Sequence, residues 1–268
     1  MKSRYFFLAL ATLLCLVGTP LSSSVYASPK SESKIPTPSL FVAEISSENP
    51  HQGDTILITL KAKQWVPSPY LIWKGNKLST FRKPQKHNPY FYVAYIGIPA
   101  DCSTGNQTLS VILSTPHEPT QTIQKLILNV QPTKFDFTEL TFAEDKKKVV
   151  SNVPQLQTEA NILEKKFKKV TTIAYFKKPF ILPTEGQITS TFGSYRLYNK
   201  VRSAVHAGLD IGNKPGTPVI AANRGKVIVS QNLKSHGNTI LIDHGFGIMT
   251  VYLHLQKRLV TEGSIVEQ

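Results

Sequence analysis

The sequence has little cysteine, little acid and almost no long apolar run. Two Cys in 268 residues exclude a disulfide scaffold. Asp and Glu number 17 against 31 Lys and Arg, which leaves a formal net charge of +14. A basic balance of this size favours anionic surroundings such as cell-wall polymers or a membrane surface. Nucleic acid would suit the charge too, but no basic stripe interleaved with aromatics is present, so no nucleic-acid partner is expected. After residue 17 no stretch of about 18 apolar residues occurs, so nothing further along should span a bilayer as a helix. With 41% apolar residues the chain is neither wholly disordered nor a multispan membrane protein.

Lys2 and Arg4 precede an apolar run from Phe6 to Val17, followed by Pro20, a Ser cluster and Val25-Tyr26-Ala27. This is the three-part pattern of a secretory signal peptide, and it assigns residues 1–27 to export. The run is too short for a good transmembrane span, the alternative being an uncleaved anchor. Cleavage after Ala27 would remove Cys15 and leave Cys102 alone, so the mature protein would have no internal disulfide. The expected location is the periplasm, the cell envelope or the extracellular space.

Residues 28–37 are rich in Ser, Pro and Lys and read as a tether. Strand-like runs follow at Thr55–Lys61, Pro69–Trp73, Tyr90–Ile98, Thr108–Leu113 and Thr122–Val130, separated by turn residues such as Lys74-Gly75-Asn76. Short strands at this spacing predict an Ig-like β-sandwich domain over 38–131. His51, His87 and His117 are scattered among its loops and carry no constellation. Residues 132–180 read as a linker with a helix over about 153–170. Pro154 stands just inside its first turn, and Leu156, Ala160, Leu163, Phe167 and Val170 make one apolar stripe. The plain reading of that helix is packing against a neighbouring domain, and the sharper one is contact with an anionic surface. Residues 181–268 are again β-rich, with strands expected at Gly225–Val229, Asn238–Asp243 and Ile248–Leu255.

Four of the seven His lie in this last segment: His206, His236, His244 and His254. His206 and Asp210 are both of ligand type for zinc. On a straight strand they would share a face about 13 Å apart, too far for one ion. A shared metal therefore requires a bend, and Gly208 permits one. His-x-x-x-Asp by itself is a weak signal.

The neighbouring residues strengthen it: Phe192-Gly193-Ser194-Tyr195-Arg196 with Asn199 upstream, then Gly216-Thr217-Pro218, Gly225-Lys226-Val227, Gly237-Asn238-Thr239, Asp243-His244-Gly245 and Tyr252-Leu253-His254. In order and spacing, residues 185–268 closely resemble the lysostaphin/LytM-type zinc metallopeptidases. The resemblance implies a small antiparallel β fold with a groove, zinc as cofactor, and peptidoglycan peptides as substrate. Carried over by position, His206 and Asp210 match two zinc ligands, and His254 matches a catalytic His. Zinc polarises a scissile carbonyl and activates water, so it hydrolyses an amide without a protein nucleophile. His236 and His244 are read as turn residues.

The pattern departs from the family in one place. The family has a further His-x-His motif, which supplies the third zinc ligand and a second catalytic His. Here no His follows His254 and no His-x-His occurs. The missing part would also supply closing strands, so an exposed sheet edge is expected. Three readings stand: a C-terminally truncated copy of an exported peptidoglycan endopeptidase, inactive as the chain is given; a non-catalytic relative that binds wall or regulates another hydrolase; and a wall- or glycan-binding β protein of other ancestry.

Overall fold

The protein, seen in a computed structural model, is described for residues 4–10, 41–115, 118–140, 153–198 and 202–268. The tether, most of the expected signal segment, Asn199 and the charge run at 145–148 lie outside the described residues. The fold is mainly β, with a single helix among the described residues.

The N-terminal part holds two four-stranded sheets. One has the order β2 (Phe41–Ile45), β3 (Thr55–Ala62), β7 (Phe91–Gly97), β6 (Phe81–Arg82). The other has the order β5 (Asn76–Ser79), β4 (Tyr70–Trp73), β8 (Gly105–Thr115), β9 (Glu118–Val130). Alternation puts Ile56, Ile58 and Leu60 on one inner face and Leu71, Trp73, Leu109 and Val111 on the other, and all join one buried cluster. The expected strand runs all form, several of them longer than the sequence suggested. The β4–β5 hairpin turns on Lys74 and Gly75, both at positive φ, as the tight turn between paired strands requires.

The C-terminal part is one seven-stranded sheet. Its order is β11 (Gln187–Ser190), β14 (Leu209–Asn213), β1 (Arg4–Leu10), β17 (Ile248–Leu255), β16 (Gly237–Gly245), β15 (Gly225–Leu233), β18 (Ile265–Val266). A three-stranded sheet, β10 (Phe137–Leu140), β12 (Tyr195–Tyr198) and β13 (Arg202–Val205), joins the two parts. Between β14 and β17 lies β1, which pairs antiparallel with both, Phe7 standing opposite Asp210 on one side and Leu253 on the other. Arg4–Leu10 is therefore sheet, where the sequence suggested part of an export signal.

Helix α1 spans Val153–Phe167, three residues short of the expected end. Its inward face also differs from the expected stripe. Ala160 and Val170 are exposed, and Glu159 is buried in their stead beside half-buried Leu156 and buried Leu163. The reason is hydrogen bonding. The Glu159 carboxylate accepts from Ser235 N at 3.0 Å and Gln155 Nε2 at 2.7 Å, and lies 2.6 Å from His236 Nδ1. A buried carboxylate given that many donors is stable where an unpaired one would not be. Leu163 and Phe167 pack with Val229, Leu241, Met249 and Val251 on one face of the C-terminal sheet.

The β16–β17 hairpin tip docks against the N-terminal sheets. Phe246 stacks on Phe81 with ring centroids 5.0 Å apart. Gly245 lets the tip pass close to the segment after α1, since a Cβ there would stand 1.8 Å from the Ile173 carbonyl oxygen.

Candidate functional site

Strand β13 ends at Val205, the chain bends at Gly208, and β14 begins at Leu209. The bend does what a straight strand cannot. His206 Nε2 lies 3.0 Å from Asp210 Oδ1, and both residues are about 5% exposed. The other His206 nitrogen, Nδ1, is 2.8 Å from the Thr191 carbonyl oxygen and 3.3 Å from Ser190 Oγ. A carbonyl only accepts, so Nδ1 carries a proton and donates it there. In the neutral ring Nε2 is then a lone-pair nitrogen facing a carboxylate oxygen. Two acceptors at 3.0 Å need a proton or a metal ion between them. For zinc bonds of about 2.0 Å, two ligand atoms on one tetrahedral edge are about 3.3 Å apart, so the pair fits one ion.

The second Asp210 oxygen, Oδ2, accepts from the buried Arg196 guanidinium. Arg196 lies on β12, beside β13, so one small sheet carries both Arg196 and the approach to His206. It fixes the carboxylate with Oδ1 toward His206, as outer-shell partners of metal ligands do. Arg196 stands in the motif before His206, yet residue order alone does not reveal this carboxylate as its partner.

His254 stands near the end of β17 with φ of 55°. A non-glycine residue in that region costs on the order of 1–3 kcal/mol, so its surroundings must hold it there. Its N–H donates to the His236 carbonyl oxygen at 2.9 Å. Burial pushes the His254 imidazole below its ordinary value, the charge of His236 pushes the same way, and Asp210 opposes them. His254 is thus held toward the neutral form, in which one ring nitrogen can accept a proton.

His244 is excluded as a ligand by its contacts. It is fully buried, with Nδ1 2.9 Å from the Arg224 carbonyl and Nε2 2.7 Å from Thr250 Oγ1, so both nitrogens are engaged. His236 is tied to Glu159 through Nδ1. Among the described residues no group of three or more His, Cys, Asp or Glu is placed to hold a metal. Glu159 and Thr191 are the partners that sequence reasoning missed. The signal for Glu159 was its spacing, three after Leu156 and four before Leu163. A cavity of about 350 Å³ adjoins the Gly208-Leu209 bend and reaches Gly53–Thr55 of the N-terminal part.

Residues 204–268 match the model of peptidase family M23. The chain is 40% identical over 83 residues to the peptidoglycan DD-endopeptidase ShyA of Vibrio cholerae, a match that covers 31% of this chain and 19% of ShyA. It is 36% identical over 81 residues to the murein hydrolase activator NlpD of Escherichia coli, covering 30% of this chain and 20% of NlpD. The chain thus spans about a fifth of the length of these relatives. A crystal structure from Pseudomonas aeruginosa, assigned to peptidase M23, superposes with a TM-score of 0.53 at 20% identity, over 79% of this chain and 77% of that one. The C-terminal segment therefore has the M23/LytM fold of peptidoglycan endopeptidases, with a metal site that is incomplete among the described residues.

His244 yields a pH prediction. Burial pushes its imidazole below the ordinary 6.5, against the pull of the Arg224 carbonyl and Asp243. Below about pH 6.5 the unfolded chain takes up a proton that the folded chain resists, so stability falls with pH. Urea unfolding at pH 7.5 and 5.0 should show that loss, and His244→Gln should reduce it while costing stability at pH 7.5. An undiminished pH dependence in His244→Gln would contradict this.

Proposed function

We propose that the protein is an exported zinc metalloendopeptidase of bacterial peptidoglycan, with His206 and Asp210 as two zinc ligands and His254 as a catalytic residue. The observation that carries the reading is the Nε2–Oδ1 approach of 3.0 Å, with the outer atom of each group already engaged by Thr191 and Arg196. Zinc, when bound, supplies a Lewis acid that polarises the peptide carbonyl and activates water. The chain's own residues do the rest. Arg196 and the Thr191 carbonyl hold the two ligands in orientation. His254, kept neutral, accepts a proton from the attacking water or hydrogen-bonds the developing oxyanion. The cavity beside Gly208 offers room for a part of the peptide next to the scissile bond.

Two ligands hold zinc weakly, and a catalytic zinc has three protein ligands plus an open position. Export fits into this reading. Cleavage near Ala27 would withdraw β1 and open a strand-wide place between β14 and β17, flanked by Asp210 and by Leu253-His254. A strand carrying His-x-His in that place would bring its side chains beside both. The N-terminal domain, over 38–131, is read as an Ig-like spacer or wall-binding module. Its strand order, first-second-sixth-fifth in one sheet and fourth-third-seventh-eighth in the other, with both sheets closing on one buried cluster, supports a sandwich.

A second reading rests on the incomplete ligand set and on the likeness to NlpD: a non-catalytic peptidoglycan-binding protein that regulates another hydrolase.

Zinc titration and peptidoglycan hydrolysis separate the two readings. The 268-residue chain should bind zinc weakly and hydrolyse at background. A chain extended by a His-x-His strand should bind one zinc and hydrolyse peptide bonds. In that chain His206→Ala or Asp210→Ala should abolish both properties, whereas His254→Ala should keep zinc and lose about 10²-fold or more in rate. An extended chain that binds peptidoglycan yet never hydrolyses it supports the regulator. Loss of zinc in His254→Ala would make His254 a ligand.

Export has its own check. N-terminal sequencing of the protein from the cell envelope should begin near Ser28, and a retained Met1 would overturn the assignment.

A further inference from the structure

The plain reading makes α1 a linker that packs on its neighbour. Its contacts go further than packing. Glu159 is 1% exposed, and its carboxylate reaches two donors on the β15–β16 turn: Ser235 N, at 3.0 and 3.2 Å from the two oxygens, and His236 Nδ1 at 2.6 Å. Ser235 and His236 form the turn between β15 and β16. The His236 carbonyl oxygen accepts the His254 N–H, and His254 is one of three non-glycine residues at positive φ among the described residues. Gly237, next in the turn, sits so close that a Cβ on it would be 3.3 Å from His254 Cα and 3.5 Å from its Nδ1. Helix carboxylate, turn and His254 backbone are thus in unbroken contact. Among the described residues nothing else bonds the Ser235 amide.

We infer that Glu159 is a positioning residue for His254: the helix carboxylate clamps the Ser235-His236 turn, and the turn holds His254 in its left-handed conformation. The helix is then part of the candidate site. Burial pushes the Glu159 carboxyl up, but His236, Ser235 N–H and Gln155 outweigh it and hold it below its ordinary value, consistent with an ionised clamp. Loss of the carboxylate's hold on the turn would release the His236 carbonyl and let His254 relax to an extended backbone. The inference rests on the proposed role of His254 for its functional meaning. Its structural content is tested separately, on the backbone of His254 in the chain as it stands.

The test is NMR on the full chain, with Glu159→Ala, Glu159→Gln and Leu163→Ala. Leu163 belongs to the apolar contact of α1 with the sheet, so its variant weakens helix docking without touching the carboxylate. The readouts are amide hydrogen exchange at Ser235 and His254, the Cα and Cβ chemical shifts of His254, which report its φ, and the thermal midpoint. Glu159→Ala should speed exchange at both amides by about tenfold or more and move the His254 shifts toward extended values. Glu159→Gln keeps an acceptor oxygen for Ser235 N–H and should give a smaller change of the same kind. Leu163→Ala should lower the thermal midpoint and leave the His254 shifts in place. Should Glu159→Ala fail to fold, Glu159→Gln carries the test. If the Glu159 variants lower the thermal midpoint but leave His254 exchange and shifts unchanged, or if Leu163→Ala moves them equally, the residue is only a packing contact and the inference is overturned. Absence of zinc binding with these outcomes intact would instead count against the metalloenzyme reading alone.

Discussion

A carboxylate taken out of water must be given partners, and Asp210 is 5% exposed. The C-terminal part is arranged around that requirement. Arg196 answers one oxygen from β12, and His206 approaches the other across the bend at Gly208. The two strands that deliver these partners pair with each other, so one short antiparallel ladder brings the guanidinium and the imidazole to the carboxylate. Removing Asp210 would take from buried Arg196 the carboxylate it holds, and removing Arg196 would loosen the carboxylate's orientation. The site's geometry and the local fold are therefore the same set of contacts.

A second buried carboxylate, Glu159, performs the corresponding task from outside the sheet. It ties the helix to the β15–β16 turn, and the turn to His254. The N-terminal part reaches the seven-stranded sheet from another side, through the stacking of Phe81 on Phe246, and within the joining sheet Phe137 stacks on Tyr195. Tyr195 neighbours Arg196, so this last contact braces the strand that carries the guanidinium. Elements far apart in sequence thus converge on β12, β14 and β17.

Much of this was legible from residue order. Alternation and turn residues placed β17 at Ile248–Leu255, as observed, and identified the cores of β3, β8, β9 and β16. The argument that His206 and Asp210 could meet only through a bend at Gly208 holds, because it followed from strand rise alone. Periodicity failed where a polar residue took an apolar position. Glu159 was counted out of the stripe and Ala160 counted in, since a helical wheel carries no knowledge of the donors waiting on the opposite turn. Arg196 was likewise invisible as a partner, because its carboxylate is 14 residues away and is brought near only by the pairing of β12 with β13. The strand at Arg4–Leu10 was missed because an apolar run after two cations reads as an export signal whether or not it can also pair.

The proposed metal role requires that His206 offer Nε2 to the ion while Nδ1–H stays on the Thr191 carbonyl. ¹⁵N NMR of the His206 ring during zinc addition tests it most directly. The account predicts a proton on Nδ1 throughout and a shift confined to Nε2 as zinc is added. A proton on Nε2 that zinc does not displace, or zinc that moves neither nitrogen of His206, would contradict it.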